Sequence, residues 1–244
     1  VGLGADGTAW GGELLRLEGA GFVREGHLRP LPLPGGDRAA LEPWRMAAAA
    51  LHELGRNEDI AARYADEPAA TTVATMLQRG INCPSTSSMG RLFDAASGLL
   101  GLCRKMDFDA QGALALEHAA TRRVAAHGMP QALDDGWRVH EDGQLDLLPL
   151  LAHLAGMPDA EEGAALFHAT LVAALAEWVE QAARRCGVEI LVCGGGCFFN
   201  KLLLDGLREK MEQTGIRLYV PQALLPGDTA IALGQAWVAA RRVA

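Results

Sequence analysis

The sequence is poor in aromatic residues and lacks the cysteine patterns of disulfide or zinc proteins. Aromatic residues make up 5% of the 244 residues, and the five cysteines leave one over if they pair. None of them forms a C-x-x-C motif, and the pair Cys193 and Cys197 has no second ligand pair with suitable spacing. We therefore predict reduced, mostly buried thiols in a cytoplasmic protein.

Long apolar runs and excess positive charge are also missing. No stretch reaches the roughly 18 apolar residues that a membrane span needs, and the first residues have neither the basic start nor the apolar core of a secretory leader. The formal charge of −8 argues against neutralising nucleic-acid phosphates or anionic lipids. We expect no nucleic-acid or membrane partner. Because half of the residues are hydrophobic, a sizeable folded core is expected.

Several common catalytic signatures do not occur. The seven histidines show no H-E-x-x-H spacing, and no Gly-x-Ser-x-Gly elbow is present. A run of three glycines at Gly194-Gly195-Gly196 is followed by neither Gly-Lys-Ser/Thr nor the G-x-G-x-x-G spacing. These absences argue against a zinc protease, a serine hydrolase of the α/β class and a P-loop enzyme.

The chain changes character along its length. Glycines around residues 18–21 predict a hairpin of strands 10–17 and 21–29, after which Asp37 is a candidate cap for a helix starting near Ala40. The middle is predicted to be almost wholly helical, with helices near 86–100 and 110–126, and a short hairpin follows within 137–147. In the last third, a long helix is followed by a buried apolar strand at 188–193, the glycine run, a helix from Asn200, a strand at 217–221 and a helix from Asp228. This alternation predicts an α/β layer with parallel strands.

Three segments are candidates for ligand binding, and each has an alternative interpretation. The glycine run suits a phosphate or an adenosine at the end of a strand, or is a tight turn that needs small residues for packing. Asp228 either caps a helix or holds a hard cation. In residues 86–94, the hydroxyls and Arg91 suit a ribose or phosphate, but the local pattern favours a capped surface helix with an Arg91–Asp94 pair.

Five segments together resemble HypF, the hydrogenase maturation carbamoyltransferase family, and their order spans nearly the whole chain. They are Asp6-Gly7-Thr8-Ala9-Trp10-Gly11-Gly12-Glu13; Leu31-Pro32-Leu33-Pro34-Gly35-Gly36-Asp37 with Glu42-Pro43-Trp44-Arg45; Thr86-Ser87-Ser88-Met89-Gly90-Arg91-Leu92-Phe93-Asp94; Gly194-Gly195-Gly196-Cys197-Phe198-Phe199-Asn200; and Pro226-Gly227-Asp228 leading to Leu233-Gly234-Gln235. Two segments depart from the family pattern: residues 108–113 replace its Tyr-Glu-Gly-Gln-Ala, and Thr229-Ala230 replaces a Gly-Gly pair.

The resemblance implies an α/β, actin-like (ASKHA) fold of two lobes with a large helical insertion, similar to the domain that transfers threonylcarbamoyl to transfer RNA. Residues 1–60 are then a remnant of an incomplete first lobe, residues 61–160 a mostly helical middle, and residues 161–244 the second lobe. The family's histidine pair and first metal aspartate would precede residue 1, so we expect a chain truncated at its N-terminus.

The resemblance also implies an activity, a set of site residues and a partner. Family members pass a carbamoyl group from carbamoyl-adenylate, made with ATP, to the C-terminal cysteine of HypE, where it becomes the cyanide ligand of [NiFe]-hydrogenase. The implied nucleotide-binding residues are Ser87, Ser88, Gly90, Asp94, Gly194, Gly195, Gly196 and Asn200, and the implied ligand of a divalent metal is Asp228. Two alternatives stay open: a non-catalytic module that docks HypE, and a divergent sugar or acetate kinase.

Overall fold

A computed structural model describes residues 2–243. It shows an α/β protein with three small sheets and a core formed mainly by helices. Within those residues, no helix combines the length and the apolar character needed to cross a membrane.

The first part of the chain is built from short strands and one long hairpin. The strands are β1 (Gly2–Leu3), β2 (Ala9–Trp10), β3 (Glu13–Glu18), β4 (Gly21–Leu28) and β5 (Leu31–Pro32). Strands β3 and β4 pair antiparallel up to Glu18 opposite Gly21, so the hairpin predicted from the glycines is confirmed. A two-residue turn with Gly19 at φ +59 joins them, a conformation that glycine adopts without strain.

A proline-rich connection leads into the first helices. A 3-10 helix (Gly36–Ala40) comes first, followed by α1 (Pro43–Glu53), α2 (Asp59–Arg63) and α3 (Ala70–Arg79). The prediction that Asp37 caps a helix starting near Ala40 is wrong, because Asp37 lies inside the 3-10 helix. Helix α1 begins at Pro43 instead, since proline fits the first helical position, where the missing N–H is not needed.

The centre of the core is the crossing of two helices. After β6 (Ser85–Thr86) come α4 (Met89–Leu99) and α5 (Gln111–His127). Strand β6 completes a sheet of order β1-β2-β6-β5, and the chain continues from β6 into α4. The alanines at 47–50 of α1 are fully buried, and the small side chains allow α1 and α4 to pack closely.

A second hairpin and two further helices complete the core. They are β7 (Arg138–Val139), β8 (Gln144–Asp146), α6 (Leu148–Ala155) and α7 (Ala160–Cys186). The hairpin predicted within residues 137–147 is confirmed, and β8 joins β4 in a sheet of order β3-β4-β8-β7. Helix α7 is capped by Asp159, whose carboxylate accepts hydrogen bonds from Glu161 N and Glu162 N.

The last part is a parallel strand-helix-strand unit. Its elements are β9 (Ile190–Val192), a 3-10 helix (Gly196–Phe199), α8 (Lys201–Thr214), β10 (Arg217–Tyr219), a 3-10 helix (Asp228–Ala230) and α9 (Ile231–Val243). Strands β9 and β10 pair in parallel with α8 as the crossover, as predicted. The prediction of a buried strand before the glycines is wrong for one face, because Ile190 is 51% and Val192 63% exposed. In the part of the chain that the structure describes, only the α8 side of this two-stranded sheet is covered.

One departure from the family pattern has a measurable consequence for stability. Ala110, which stands where the pattern has glycine, precedes α5 with φ +64, a left-handed conformation that costs a residue with a Cβ about 1–2 kcal/mol. We expect Ala110→Gly to raise the free energy of unfolding by about 1 kcal/mol. Ala113→Gly, inside the same helix, is the matched control and should lower it by about 1 kcal/mol. Urea denaturation of both variants checks the signs; destabilisation by Ala110→Gly would contradict the assigned strain.

Candidate functional site

The glycine run lies at the carboxyl end of β9 and faces open space. Gly195 has φ +107 and ψ 155, a backbone conformation that is essentially limited to glycine. A Cβ added to Gly194, Gly195 or Gly196 would meet no atom within 4 Å. The interpretation that these residues are small for the sake of packing is therefore not supported by the described residues. The run instead leaves room beside the backbone, as a ligand requires.

The loop at 226–228 lies directly against the glycine run. The Gly195 N–H donates a hydrogen bond of 2.6 Å to the Pro226 carbonyl oxygen. The Phe199 ring is 3.3 Å from the position that a Cβ on Gly227 would take. Two of the three predicted loops therefore meet at the carboxyl ends of the parallel strands, which is where ligands bind in open α/β sheets.

Asp228 is exposed at this junction, in the first turn of a 3-10 helix. Across residues 2–243, no group of three or more histidine, cysteine or acidic side chains is placed to hold a metal ion. A single exposed carboxylate is a poor metal site. The described residues therefore do not form a metal centre by themselves.

The third predicted segment, residues 86–94, lies near the glycine run at Asp94. Helix α4 packs against the 3-10 helix at 196–199. Burial raises the pKa of the Cys197 thiol to about 11, and the nearby Asp94 carboxylate adds to this effect while Arg91 opposes it. Because α4 also packs against this 3-10 helix, Arg91 and Asp94 at the end of the 86–94 segment form one cluster with the segments at 194–200 and 226–228.

Asp94 is a buried carboxylate. It is 1% exposed, and burial raises its pKa to about 6 despite the opposing effect of Arg91. Arg91 Nη2 lies 2.9 Å from Asp94 Oδ2, but neither this oxygen nor Ser97 Oγ makes a well-directed hydrogen bond to the described residues. The predicted Arg91–Asp94 pair exists, yet α4 is not a surface helix. A buried, incompletely bonded carboxylate beside an open loop is typical of a functional site.

Ser87 and Ser88 are hydrogen-bonded within the first half of the chain. The Ser87 hydroxyl donates to Glu13, and Ser87 Oγ also accepts from Arg24 Nη2 at 3.3 Å. Ser88 N donates to Thr86 Oγ1 at 3.1 Å. Both serines line a cavity of about 20 Å³, which has room for roughly one water molecule. The structure therefore gives the serines bonds away from the glycine run, while Gly90 is partly exposed in the first turn of α4.

Asn200 anchors the end of the glycine segment. It is 6% exposed and caps α8, because its Oδ1 accepts from Leu203 N at 2.9 Å. Its Nδ2 lies 2.9 Å from His168 Nε2. Both polar atoms of this side chain already have partners inside the protein, so the nucleotide-binding role implied for Asn200 stays a prediction.

Two functional candidates were not predicted from the sequence. His168 lies in the buried stripe of α7, and Glu117 of α5 accepts a hydrogen bond of 2.7 Å from Lys201 N at the start of α8. Because Glu117 and Asn200 bind the first amides of α8 and Gly195 N is bonded to Pro226 O, the amides open to a ligand are those of Gly194 and Gly196. A histidine at an apolar position of α7, four residues after Ala164, was the available signal for His168.

These features define an α/β protein with a candidate ligand site built from a glycine turn at the end of parallel strands. A family model described as "Carbamoyltransferase, Kae1-like Domain, second subdomain" matches residues 1–235. Carbamoyltransferase HypF2 of Cupriavidus necator is 48% identical, with 99% of this chain and 33% of that protein covered. A carbamoyltransferase HypF homolog of the same organism is also 48% identical, with 99% of this chain and 64% of that protein covered.

A solved structure has the same fold. The crystal structure of full-length HypF in its phosphate- and nucleotide-bound form superposes with a TM-score of 0.84 at 26% identity, covering 99% of this chain and 32% of that one. The chain therefore belongs to the HypF family of carbamoyltransferases. It spans 33% of one of these relatives and 64% of the other, and it corresponds to the second subdomain of the Kae1-like domain.

Proposed function

We propose that this chain is the nucleotide-binding part of an enzyme that transfers a carbamoyl group from carbamoyl-adenylate to the C-terminal cysteine of a HypE-like protein, in the maturation of [NiFe]-hydrogenase. One observation carries the proposal. The glycine run is open on its outer side, although Asp94 of α4 and the loop at 226–228 approach it from two other segments. The membership in a carbamoyltransferase family and the nucleotide-bound relative agree with this assignment.

The transfer replaces one bond at the carbamoyl carbon with another. The partner's thiolate attacks that carbon, the C–S bond forms, and the C–O bond to the adenylate phosphate breaks. The backbone amides of Gly194 and Gly196 stabilise the negative charge on the departing adenylate, since groups already aimed at developing charge need no reorganisation during the reaction.

The cysteines near the cluster are poor nucleophiles. Burial raises the pKa of Cys193 to about 11 and that of Cys197 to about 11, so both thiols stay protonated near neutral pH. This favours a nucleophile supplied by the partner protein. The nucleotide-binding residues would be Asp94, Gly194, Gly195 and Gly196, with Ser87, Ser88, Gly90 and Asn200 supporting the cleft by their positions in the family motifs.

In this proposal, residues of a first subdomain would complete the site, since the chain matches a second subdomain and spans 33% of one HypF relative. The uncovered sheet face with Ile190 and Val192, and the exposed Leu233 and Trp237 of α9, are apolar surfaces that a first subdomain would cover. In this arrangement residues 1–60 belong to the first lobe, 61–160 to the helical middle and 161–244 to the second lobe. Asp228 would supply one ligand of a divalent metal, and the other ligands would come from the first subdomain.

Filling the open space beside the glycine run tests the proposed site. Calorimetric titration with ATP should show binding to the wild type and at least a tenfold loss of affinity for Gly196→Leu, since the new side chain occupies the ligand's volume. Gly156→Leu is the matched control. Gly156 is exposed, the nearest atom to its added Cβ is His153 O at 3.8 Å, and no change in affinity is expected.

Both variants should unfold at the wild-type temperature, because the added Cβ is free of close neighbours at either position and Leu can extend into open space. Equal affinity of Gly196→Leu and wild type would contradict the site. If the wild type binds no ATP but is retained by immobilised HypE, the chain is a docking module and the proposed nucleotide role is wrong.

A further inference from the structure

His168 is fully buried in α7 and connects two segments of the proposed site. Its ring packs edge-on against Phe93 of α4, with ring centroids 5.8 Å apart. On its other side, Nε2 lies 2.9 Å from Asn200 Nδ2. Phe93 precedes the buried carboxylate Asp94, and Asn200 ends the glycine segment. One imidazole therefore contacts both segments from the interior of the protein, on the side away from solvent.

The hydrogen bonds around His168 run in one direction. Nδ1 lies 2.8 Å from the Ala164 carbonyl oxygen, which can only accept, so Nδ1 carries the proton. Nε2 then has a lone pair and accepts from Asn200 Nδ2. This fixes the orientation of the Asn200 amide, whose Oδ1 accepts from Leu203 N at 2.9 Å. These three hydrogen bonds, called the relay below, connect Ala164 in α7 to Leu203 in the first turn of α8.

The relay also fixes the glycine segment, because Asn200 is bonded to it through the backbone. Asn200 N donates to Cys197 O at 3.1 Å, and Phe198 N donates to Gly195 O at 3.1 Å. Gly194 and Gly196 have no packing neighbour that would hold the run from its open side. The anchor at Asn200 is thus one of the few contacts that determine where the amides of the run point.

We infer that His168 is a positioning residue, which holds Asn200 and through it the glycine run in the geometry required for nucleotide binding; the inference rests on the proposed function. The relay requires neutral imidazole, because a proton on Nε2 would face the Asn200 amide hydrogens. Burial favours that form, since it lowers the pKa of His168 to about 4.

Three substitutions separate hydrogen bonding from bulk. In His168→Gln, the amide oxygen reaches the place of Nε2 and can accept from Asn200. In His168→Asn, the shorter amide can still donate to Ala164 O but does not reach Asn200. His153→Asn, at an exposed position of α6, is the control for the substitution itself.

Two measurements decide the outcome. ATP affinity should stay within about threefold of wild type in His168→Gln and His153→Asn, and fall about tenfold in His168→Asn, which is the expected size for one lost positioning hydrogen bond. The second measurement is hydrogen exchange of the Asn200 side-chain amide. The chain has three asparagines, Asn57, Asn82 and Asn200, so selective isotope labelling gives few signals. Protection should persist in His168→Gln and disappear in His168→Asn.

A purely structural role would lower the melting temperature of both His168 variants without this split in affinity, and equal ATP affinity in Gln and Asn variants overturns the inference. If the wild type binds no ATP, the proposed function fails, and the exchange data alone then show whether His168 holds Asn200. An Asn200 amide that exchanges equally in wild type and His168→Asn overturns the positioning role in either case.

Discussion

Gly98→Ala is expected to lower the free energy of unfolding by about 2 kcal/mol, although alanine is the better helix former. Gly98 lies in α4 where this helix crosses α1. An added Cβ would lie 2.6 Å from the Pro43 carbonyl oxygen and 3.0 Å from Ala47 Cβ. The contact is with backbone, which cannot rotate away, so the two helices must separate. The loss of close packing outweighs the gain of about 1 kcal/mol in helix propensity.

Gly90→Ala provides the matched control in the same helix. There the nearest atom to an added Cβ is Ser88 Oγ at 3.6 Å, an ordinary contact. We expect this variant to be unchanged or more stable by up to about 1 kcal/mol. Chemical denaturation of both variants measures the difference, and a Gly98→Ala protein as stable as Gly90→Ala would show that α1 and α4 are not in close contact.

The second large effect is a pair of opposing pH dependences from Asp94 and His168. Burial raises the pKa of Asp94 from 3.8 to about 6, so between these values the folded state keeps a proton that the unfolded state releases. The contribution of Asp94 to the free energy of unfolding therefore falls as the pH rises through this window. Burial lowers the pKa of His168 from 6.5 to about 4, so there the unfolded state binds the extra proton. Stability from His168 is present above pH 6.5 and is lost as the pH falls towards 4.

In the wild type the two slopes largely cancel, because each amounts to about 3 kcal/mol across its window. As the pH rises from 4 to 7, the free energy of unfolding of Asp94→Asn should therefore increase by about 3 kcal/mol relative to that of wild type. That of His168→Gln should decrease by a similar amount over the same range. Comparing changes with pH removes the constant cost of leaving Arg91 without its carboxylate partner.

Urea denaturation at several pH values in that range gives the slopes. The double variant should show neither of them. If Asp94→Asn and wild type keep a constant difference, Asp94 is solvated in the folded protein, and its place in a buried cluster beside the glycine run is wrong.

Asp94 also illustrates a conflict between stability and function. Its charged form is destabilising near neutral pH, since the carboxylate is buried with incomplete hydrogen bonding. A residue that costs stability at this position agrees with the proposed nucleotide site, where a ligand would supply the missing partner.

Local patterns in the sequence determined much of the secondary structure. The glycines around residue 19 specified the β3–β4 hairpin, and the order of strand, glycine run and helix specified the parallel unit of β9, α8 and β10, because these signals act between near neighbours. The motifs also identified the family, which the match over residues 1–235 confirms.

Only the tertiary structure decided which residues are buried and which are bonded to one another. Asp94 and Arg91 were compatible with a surface pair, and the packing of α4 against other helices buried Asp94 and left Arg91 partly exposed. His168 and Asn200 are far apart in sequence, so no local signal linked them until α7 and α8 packed together. The exposed face of β9 was also decided by tertiary structure. A short apolar run can form a strand that is covered on one face or on both, and only the assembled fold determines how many layers cover it.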